Sequence, residues 1–570
     1  MSTVPKKRTA DPEKLTWGTK ALIFFSVHWR GVVVVLAPII CSFILFTYSP
    51  IQKAQWCAYC LLIMAVYWVT ECIPLPVTAF LPIIIFPLTN IMDTATVCKF
   101  YLNDTLFMFI GSMILAYSIE QSGLHMRIAL GAIRCIGYSH YKLLLAICLV
   151  TMIISMWITN TAATVMVVPI VFALLKVFED QGLMTIYETT SHGERVASDL
   201  TTCYFCSVTF SATIGGIGTL VGTATNLAFK GLFMEAYKEA TVEYLSFIHF
   251  SAFAVPYMIL MEIALYFYMI LVYFGFLRPK SKAARGAVLN DQAIQAAKNK
   301  VESDWKALGR ITFWEIMVIL LFSFAIALFF CRSPQIFHGW GDAIRDYFGY
   351  TIKEKPVKDS AAAFLVGFLM CLLPYSMQII DNFTAKYHED LPKKPIRAVL
   401  DWRIASAVMP FSFMFLLGGG FALSTAARPA YTDLNGEIAQ MLNSLRNLPN
   451  YFIIFILIVV TTFITNFASN VAVANVICPI AMQLAKEIGQ NPLWYNIACG
   501  FSASYCFLLP VGTPGNLIVQ SAASVPVGKM IIAGAGPTVS TILLTWLAMC
   551  FWAPVVWPVL LTVPDWVKAV

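Results

Sequence analysis

The stretch Met152–Ile170 reads MIISMWITNTAATVMVVPI and places a polar tip, Thr159–Thr161, between two apolar runs at 141–158 and 162–178. At about 1.5 Å per residue, each run nearly matches the thickness of a membrane's hydrocarbon layer. Irregular backbone at that depth persists only inside protein or beside water. The stretch therefore predicts a re-entrant helical hairpin, or one broken membrane helix, whose freed amides and carbonyls can hold ions.

The same pattern returns later in the chain. Ile464–Ile480 reads ITNFASNVAVANVICPI, which places Asn470 310 positions after Asn160. A second pair of similar segments, Gly222–Leu227 (GTATNL) and Gly512–Leu517 (GTPGNL), follows the hairpins at an offset of 290. Broken apolar segments at matching positions of two halves are the best sequence indication of a transporter binding site. We therefore predict an internal duplication with four breaks that form one site, at 155–161, 222–226, 465–470 and 512–516.

The composition predicts a polytopic helical membrane protein, since 59% of residues are hydrophobic and only 12% are charged, against about 25% charged in soluble domains. The net charge of +7 falls in predicted loops, so no nucleic-acid partner is expected. Motifs for hydrolysis, phosphate binding or zinc proteolysis are missing from the sequence, which argues against an enzyme and predicts no catalytic residue. The pairs Cys57/Cys60 and Cys203/Cys206 lie in apolar runs without a matching His or Cys pair, so no transition-metal site is expected.

Lysine and arginine in the first twenty residues place the N-terminus in the cytosol. From that start, the number of predicted crossings indicates that the first hairpin enters the membrane from the cytosol and the second from outside. The C-terminus then lies on the extracellular side, and the two halves are inverted. The apolar runs at 31–47 and 105–130 are among the predicted membrane segments. Within the linker, composition predicts a helix over 291–308. The predicted organisation is a cytosolic tail at 1–30, scaffold helices and the first inverted repeat at 31–277 with its hairpin at 141–178, a cytosolic linker at 278–310, and a second inverted repeat at 311–570 with its hairpin at 450–486.

The polar residues at the four breaks suit two kinds of ligand. Hydroxyl, amide and carbonyl oxygens suit a weakly solvated monovalent cation, while amide hydrogens and helix N-termini suit carboxylates. The alternative is that Ser, Thr and Gly only allow close helix packing, but four breaks in two matched pairs favour the binding site. Three acids in or beside membrane segments, Glu71, Asp104 and Glu120, are further candidates for proton binding. Glu71 and Asp104 lie near predicted helix ends, where a structural role is favoured.

Four stretches together resemble one known family: Tyr67–Leu75 (YWVTECIPL), Ser155–Thr161 (SMWITNT), Leu416–Leu423 (LLGGGFAL) and Leu509–Pro514 (LPVGTP). They are similar to the divalent anion/sodium symporter family of dicarboxylate and citrate carriers, and within it to the insect INDY branch. The resemblance implies an all-α membrane fold of inverted repeats with about 11 transmembrane helices and two re-entrant hairpins. It also implies a plasma-membrane homodimer in which a transport domain moves against a scaffold domain as an elevator.

The resemblance assigns roles to residues at the breaks. Family substrate contacts fall on Asn160, Thr161, Thr223, Asn470, Val471 and Thr513. One family cation site falls on Ser155, Thr159, Asn160 and Gly222, and the second on Thr465, Ala468, Asn470, Gly512 and Pro514.

The chain departs from the sodium-coupled carriers at several of these positions. They usually have proline where this chain has Thr225, and the second Ser-Asn-Thr of the family is Ser-Asn-Val here, ending at Val471. The insect branch, which these versions resemble, carries citrate and dicarboxylates without sodium. We therefore expect a carrier of citrate, succinate, fumarate and malate that works by sodium-independent exchange or by proton-linked movement, with no organic cofactor. Two alternatives remain open, a carrier coupled to Na⁺ and, from another functional class, an anion channel.

Overall fold

The protein is described here by a computed structural model. It covers residues 16–568 except position 48 and residues 190–193, 239–241, 279, 281–290, 352–355, 388–390, 392–394 and 442–446. The predicted tail and the predicted linker are therefore described only in part, since residues 1–15 and most of 279–290 lie outside the described residues.

The described part of the chain is almost entirely helical, as the sequence predicts. Its first half contains α1 (Trp17–Cys41), α2 (Lys53–Thr70), α3 (Leu75–Thr78), α4 (Leu81–Leu88), α5 (Thr94–Lys99), α6 (Asp104–Ser122), α7 (Leu124–Ile136), α8 (His140–Ser155), α9 (Asn160–Asp180), α10 (Asp199–Gly216), α11 (Ala224–Ala236) and α12 (Phe247–Tyr273). Two short antiparallel strands, β1 (Tyr187–Thr189) and β2 (Arg195–Ala197), pair between α9 and α10.

The second half continues the helical pattern. It contains α13 (Asp291–Ala307), α14 (Phe313–Cys331), α15 (Trp340–Tyr347), α16 (Asp359–Leu372), α17 (Gln378–Thr384), α18 (Trp402–Val408), α19 (Ser412–Ala426), α20 (Leu434–Met441), α21 (Asn450–Thr465), α22 (Asn470–Glu487), α23 (Pro492–Ser502), α24 (Pro514–Ala523), α25 (Val527–Leu547), α26 (Ala553–Val556) and α27 (Asp565–Lys568). Helix α13 confirms the helix predicted in the linker over 291–308, because it begins at the same residue and ends one residue earlier.

Several helices are long and apolar enough to cross a membrane. In the described residues there are six such segments, and a seventh if α18 and α19, which meet at a bend of 53°, form one broken span. The first leg of each hairpin, α8 and α21, belongs to a group of shorter apolar helices. The six segments are Trp17–Phe46, Thr94–Ser122, Asn160–Asp180, Phe247–Tyr273, Phe313–Cys331 and Val527–Val556.

Two sets of five helices follow the same order in the two halves. In the first set, α8 and α9 form a hairpin that packs on α10, and α11 and α12 follow; in the second, α21 and α22 form the hairpin, and α23, α24 and α25 follow. The predicted duplication thus extends over complete groups of helices. Between the two sets, α14 and α16 pack on each other and on α6.

Two predicted segments differ from the structure. The predicted helix at 105–130 is broken at Gly123, which has φ of +74° and separates α6 from α7. Glycine adopts this left-handed conformation without the steric penalty of a Cβ atom, so it ends α6. Helix α1 begins at Trp17, whereas the predicted membrane segment begins at 31.

Candidate functional site

The first hairpin is closed by hydrogen bonds around the start of α9. Ser155 Oγ donates to Asn160 Oδ1 at 3.0 Å and also lies 2.6 Å from the carbonyl oxygen of Ala212 in α10. Thr159 caps α9, because its hydroxyl accepts a hydrogen bond from the Ala162 amide at 3.3 Å. Polar side chains therefore hold both ends of the four-residue loop that joins α8 to α9.

The second hairpin repeats this arrangement. Thr465 Oγ1 donates to Asn470 Oδ1 at 2.9 Å and lies 2.6 Å from the carbonyl oxygen of Ala503. Asn470 Nδ2 also reaches the carbonyl oxygen of Ser504 at 3.5 Å. A hydroxyl, an amide oxygen and a carbonyl from the following helical segment thus meet in each repeat, so the duplication extends to individual hydrogen bonds.

A buried asparagine bridges the break that follows each hairpin. Asn226 Nδ2 donates to the carbonyls of Gly216 and Thr219 at 2.9 and 2.7 Å. Asn516 Nδ2 makes the equivalent pair of bonds, at 3.1 and 3.0 Å, to the carbonyls ten and seven residues before it. These carbonyls lack intrahelical partners because the preceding helix has ended, and the asparagine satisfies them.

The predicted breaks at 222–226 and 512–516 need a correction in their bounds. Irregular backbone covers 217–223 and 503–513, and Asn226 and Asn516 lie within the first turn of α11 and α24. The reason is the asparagine itself, because its side chain reaches back to the exposed carbonyls and allows the new helix to begin before it. The predicted glycine and threonine pairs lie at the ends of the irregular segments.

Two glycines permit the close approach of each hairpin tip to its break. A Cβ atom at Gly216 would clash with Asn160 Oδ1, and one at Gly512 would clash with Cys506 Sγ. At Gly512 the added atom would also lie 2.9 Å from the Thr465 carbonyl oxygen. A side chain at either position would therefore displace the polar atoms of a hairpin tip.

The two repeats meet at the start of α24. Thr209 Oγ1 in α10 donates to Asn516 Oδ1 at 2.8 Å, and a Cβ atom at Gly515 would lie 2.8 Å from Thr209 Oγ1 and 3.2 Å from Thr164 Oγ1. Thr164 belongs to α9, so the first hairpin and its following helix contact the second repeat directly at this point. The first hairpin and the break after the second hairpin therefore lie next to each other at the junction of the two halves.

Each predicted substrate residue lies at a helix N-terminus. Thr223 and Thr513 are the residues that precede α11 and α24, and the other four occupy the first two positions of α9 and α22. Helix N-termini present free amide hydrogens and a partial positive charge, which favour anions. The six residues are Asn160, Thr161, Thr223, Asn470, Val471 and Thr513.

These six residues differ in exposure and in hydrogen bonding. Val471 and Thr513 are buried, whereas the other four are partly exposed. The hydroxyls of Thr161 and Thr223 make no hydrogen bond to another described residue, and Thr513 Oγ1 accepts from the Gly515 amide at 3.3 Å. Free hydroxyls on exposed sides of the breaks are available to a ligand.

The residues predicted for cation binding supply neutral oxygens. In the first set, Ser155 Oγ and Asn160 Oδ1 are adjacent, and the nearby Met156 carbonyl accepts from Thr219 Oγ1 at 2.5 Å. In the second set, Thr465 and Asn470 make the equivalent pair, while Ala468 and Pro514 have no side-chain oxygen and offer only carbonyls. Unwound carbonyls and hydroxyls are the ligands that transporters use for Na⁺. These neutral oxygens therefore fit a monovalent cation.

The sequence reasoning missed a buried acid beside the first hairpin. Glu262 in α12 is 4% exposed and accepts a hydrogen bond from Ser211 Oγ at 2.6 Å. A single acid inside the 27-residue apolar helix α12 is visible in the sequence, but nothing local connects it to the hairpin. By contrast, Asp104 lies at the start of α6, accepts from Ser360 and lies 3.6 Å from Lys358 Nζ, which confirms its expected structural role.

A ring of four buried charges was also missed. Lys230 Nζ lies 3.0 Å from Glu243 and 3.2 Å from Asp359, and the Arg332 guanidinium lies 2.7 Å from Glu243 and 2.5 Å from Asp359. All four side chains are less than 10% exposed. This charge ring joins α11 to the end of α14 and the start of α16. Two cavities of about 420 and 440 Å³ flank it, and neither is lined by a predicted substrate residue.

The described residues contain no group of three or more His, Cys, Asp or Glu side chains placed to hold a metal ion. A family model of the sodium:sulfate symporter transmembrane region matches residues 26–558 of the chain. The chain belongs to the divalent anion/sodium symporter family. It is therefore a multi-pass membrane transporter and not an enzyme.

Relatives in this family match nearly the whole chain. The chain is 33% identical to the Drosophila melanogaster protein I'm not dead yet, over 96% of this chain and 92% of that protein. It is 32% identical to sodium-dependent high-affinity dicarboxylate transporter 3 of Caenorhabditis elegans, over 94% of this chain and 89% of the relative. It is 31% identical to the Na⁺/citrate cotransporter of Mus musculus, over 93% and 97%.

Proposed function

We propose that this protein is a secondary transporter of citrate and of the four-carbon dicarboxylates succinate, fumarate and malate. The observation that carries the proposal is that all four breaks end at a helix N-terminus bearing a predicted substrate residue. Two relatives are named as carriers of dicarboxylates and of citrate, which supports the same substrates.

The breaks can hold several carboxylates without a buried arginine between them. Asn160 and Asn470 each offer an amide group with two donors and an acceptor, and each shares its Oδ1 with a hydroxyl of its own hairpin, so its Nδ2 can turn toward a carboxylate. Thr161 and Thr223 add hydroxyl donors. Neutral donors at helix N-termini bind an anion without leaving a costly unpaired charge in the membrane when the site is empty.

The proposed movement is an elevator in a plasma-membrane homodimer with a cytosolic N-terminus and an extracellular C-terminus. The five-helix sets, α8–α12 and α21–α25, would form the transport domain, because their hairpins and breaks contain the proposed binding residues. The helices before α8 and between the sets would form the scaffold. This division follows the family resemblance, and the repeated hydrogen bonds of the two hairpins support it.

For energy coupling we propose sodium-independent exchange or proton-linked movement. The departures at Thr225 and Val471 support this choice: Thr225 stands where the sodium-coupled carriers usually have proline, and Val471 has no hydroxyl. Coupling to Na⁺ is the second candidate, since both hairpins retain neutral oxygens that fit the ion and several relatives are named as sodium-dependent.

Uptake of radiolabelled citrate into proteoliposomes tests these proposals together. We expect saturable uptake that is stimulated by citrate on the opposite side and that largely persists when external sodium is replaced by choline. Steep, saturable activation by sodium would establish the sodium-coupled alternative instead. Flux that neither saturates nor shows stimulation from the opposite side would identify an anion channel and overturn the proposal.

A further inference from the structure

Glu262 is a buried acid with an unsatisfied oxygen. It lies near the middle of the membrane-spanning helix α12, where Ser211 Oγ donates to its Oε1 at 2.6 Å. Its Oε2 is buried and has no nitrogen or oxygen partner among the described residues. A buried carboxylate is far more costly than a buried neutral acid unless a cation or several donors compensate for it. This environment therefore favours an added proton on Oε2.

No positively charged side chain among the described residues contacts Glu262, and the two basic groups of α8, His140 and Lys142, lie at the start of that helix, six or more residues before Cys148. Helix α8 contributes the Cys148 thiol, a weak donor beside the carboxyl group, and α10 contributes the Ser211 hydroxyl. The acid of α14, Glu315, is paired with Arg127, and the lysine of α25, Lys529, is paired with Glu188 and Asp199. The charge of Glu262 therefore depends on its own proton.

A short chain of bonds links this acid to the first hairpin. Ser211, which donates to Glu262, is covalently followed by Ala212. The carbonyl oxygen of Ala212 lies 2.6 Å from Ser155 Oγ, which in turn contacts Asn160 Oδ1 at 3.0 Å. A change in the charge of Glu262 thus acts on the residue next to the carbonyl that positions Ser155.

The second repeat does not contain this arrangement. Ser502, the counterpart of Ser211, donates to the Ala498 carbonyl in its own helix at 2.7 Å. A serine at this position is therefore satisfied without an acid, so Glu262 is not needed to complete the hydrogen bonding of the repeat. Helix α25, which holds the place of α12 in the second repeat, contains no acid.

We propose that Glu262 is the proton-binding site through which this carrier couples carboxylate transport to protons. The inference rests on the proposed transport function and extends it to one residue. Uptake transfers a proton from hydronium to Oε2, which breaks one O–H bond of hydronium and forms one at Glu262. Release on the other side breaks that bond and returns the proton to a water molecule. Ionised Glu262 holds the Ser211 hydroxyl strongly, whereas the neutral acid relaxes that hold and with it the backbone behind Ser155.

The test compares the full-length wild type with Glu262→Gln in proteoliposomes, under an inward proton gradient without sodium. The wild type should accumulate citrate above equilibrium. In Glu262→Gln the accumulated citrate should be at least tenfold lower, while citrate–citrate exchange is kept. Asp180→Asn, a change to an exposed acid at the end of α9, should behave as the wild type. Because citrate itself binds protons, only the ratio of variant to wild type at the same pH is interpreted.

A second pair of variants gives an answer even if Glu262→Gln fails to fold. Ser211→Ala removes a donor that stabilises the ionised carboxylate, so the pH of half-maximal uptake should rise by about one unit. Ser502→Ala, the matched change in the second repeat, should leave that pH unchanged. Equal pH profiles for both serine variants and the wild type would overturn the proposal.

The possible failures can be told apart. If Glu262→Gln still accumulates citrate under a proton gradient, Glu262 is not the proton site. The same conclusion follows if the wild type exchanges citrate but a proton gradient drives no accumulation. Either result leaves carboxylate transport in place. A wild type that moves no citrate under any gradient rejects the proposed function itself, and the proton site with it.

Discussion

Thr209 in the first repeat donates a hydrogen bond of 2.8 Å to Asn516 in the second, although 307 positions separate them in the chain. Both residues are buried, and Asn516 uses its Nδ2 for two carbonyls of its own break. The oxygen of its side-chain amide therefore bonds to the first repeat, and the nitrogen bonds to the second. The break after the second hairpin is held in place by the helix that follows the first.

Thr209→Val should therefore destabilise the protein and weaken transport. The change keeps the shape of the side chain but leaves Asn516 Oδ1 buried without a donor, which costs about 1–3 kcal/mol. The apparent unfolding temperature in detergent and the KM of citrate uptake measure the effect. Thr213→Val is the control, because Thr213 bonds only to the Thr209 carbonyl within α10. Equal effects of the two changes would show that the contact between repeats has no special role.

Asn160→Ala and Asn470→Ala should each nearly abolish citrate transport while expression and folding are retained. Loss of a hydrogen bond to a charged ligand costs about 1.5–3 kcal/mol, or roughly tenfold to over a hundredfold in affinity. Uptake at low citrate concentration measures the change. Gln483→Ala, on the exposed side of α22 where Gln483 bonds to Glu487, is the control. Uptake equal to the wild type in either asparagine variant would refute the site.

Gly216→Ala should reduce citrate affinity by at least about tenfold, the scale of one lost hydrogen bond to a charged group. The added methyl group would occupy the position of Asn160 Oδ1 and push this side chain away from Ser155. Binding of citrate to the purified protein measures the affinity without transport. Gly528→Ala, at a position with nothing within 4 Å of the added atom, is the control. Unchanged affinity in Gly216→Ala would mean that the position of Asn160 does not matter.

The charge ring should be sensitive to the loss of a single member. Lys230→Met leaves two carboxylates and one guanidinium in a buried place, and breaking a buried pair in this way costs about 3–5 kcal/mol. Adding Asp359→Asn to this variant restores charge balance and should recover part of the unfolding temperature. Lys176→Met, which removes an exposed lysine paired with Glu179, should change little. A double variant less stable than Lys230→Met would contradict this account.

The sequence alone was sufficient to predict the helical membrane class, the two hairpins and the duplication. Those features depend on short-range chemistry. An apolar run forms a helix, a polar residue such as Thr159 caps the next helix through a hydrogen bond three residues away, and both signals recur in the second half. For the same reason the helix in the linker was predicted to within one residue.

Only the tertiary structure decided which buried polar groups are partners. Ser211 and Glu262 are 51 positions apart, Lys230 and Asp359 are 129 apart, and Thr209 lies in the other repeat from Asn516. A buried donor or acceptor must be satisfied, but the sequence does not say by which residue, because the partner is set by the packing of helices distant in the chain. Even the start of α11 depended on such a contact, since Asn226 reaches back to carbonyls freed by the end of α10.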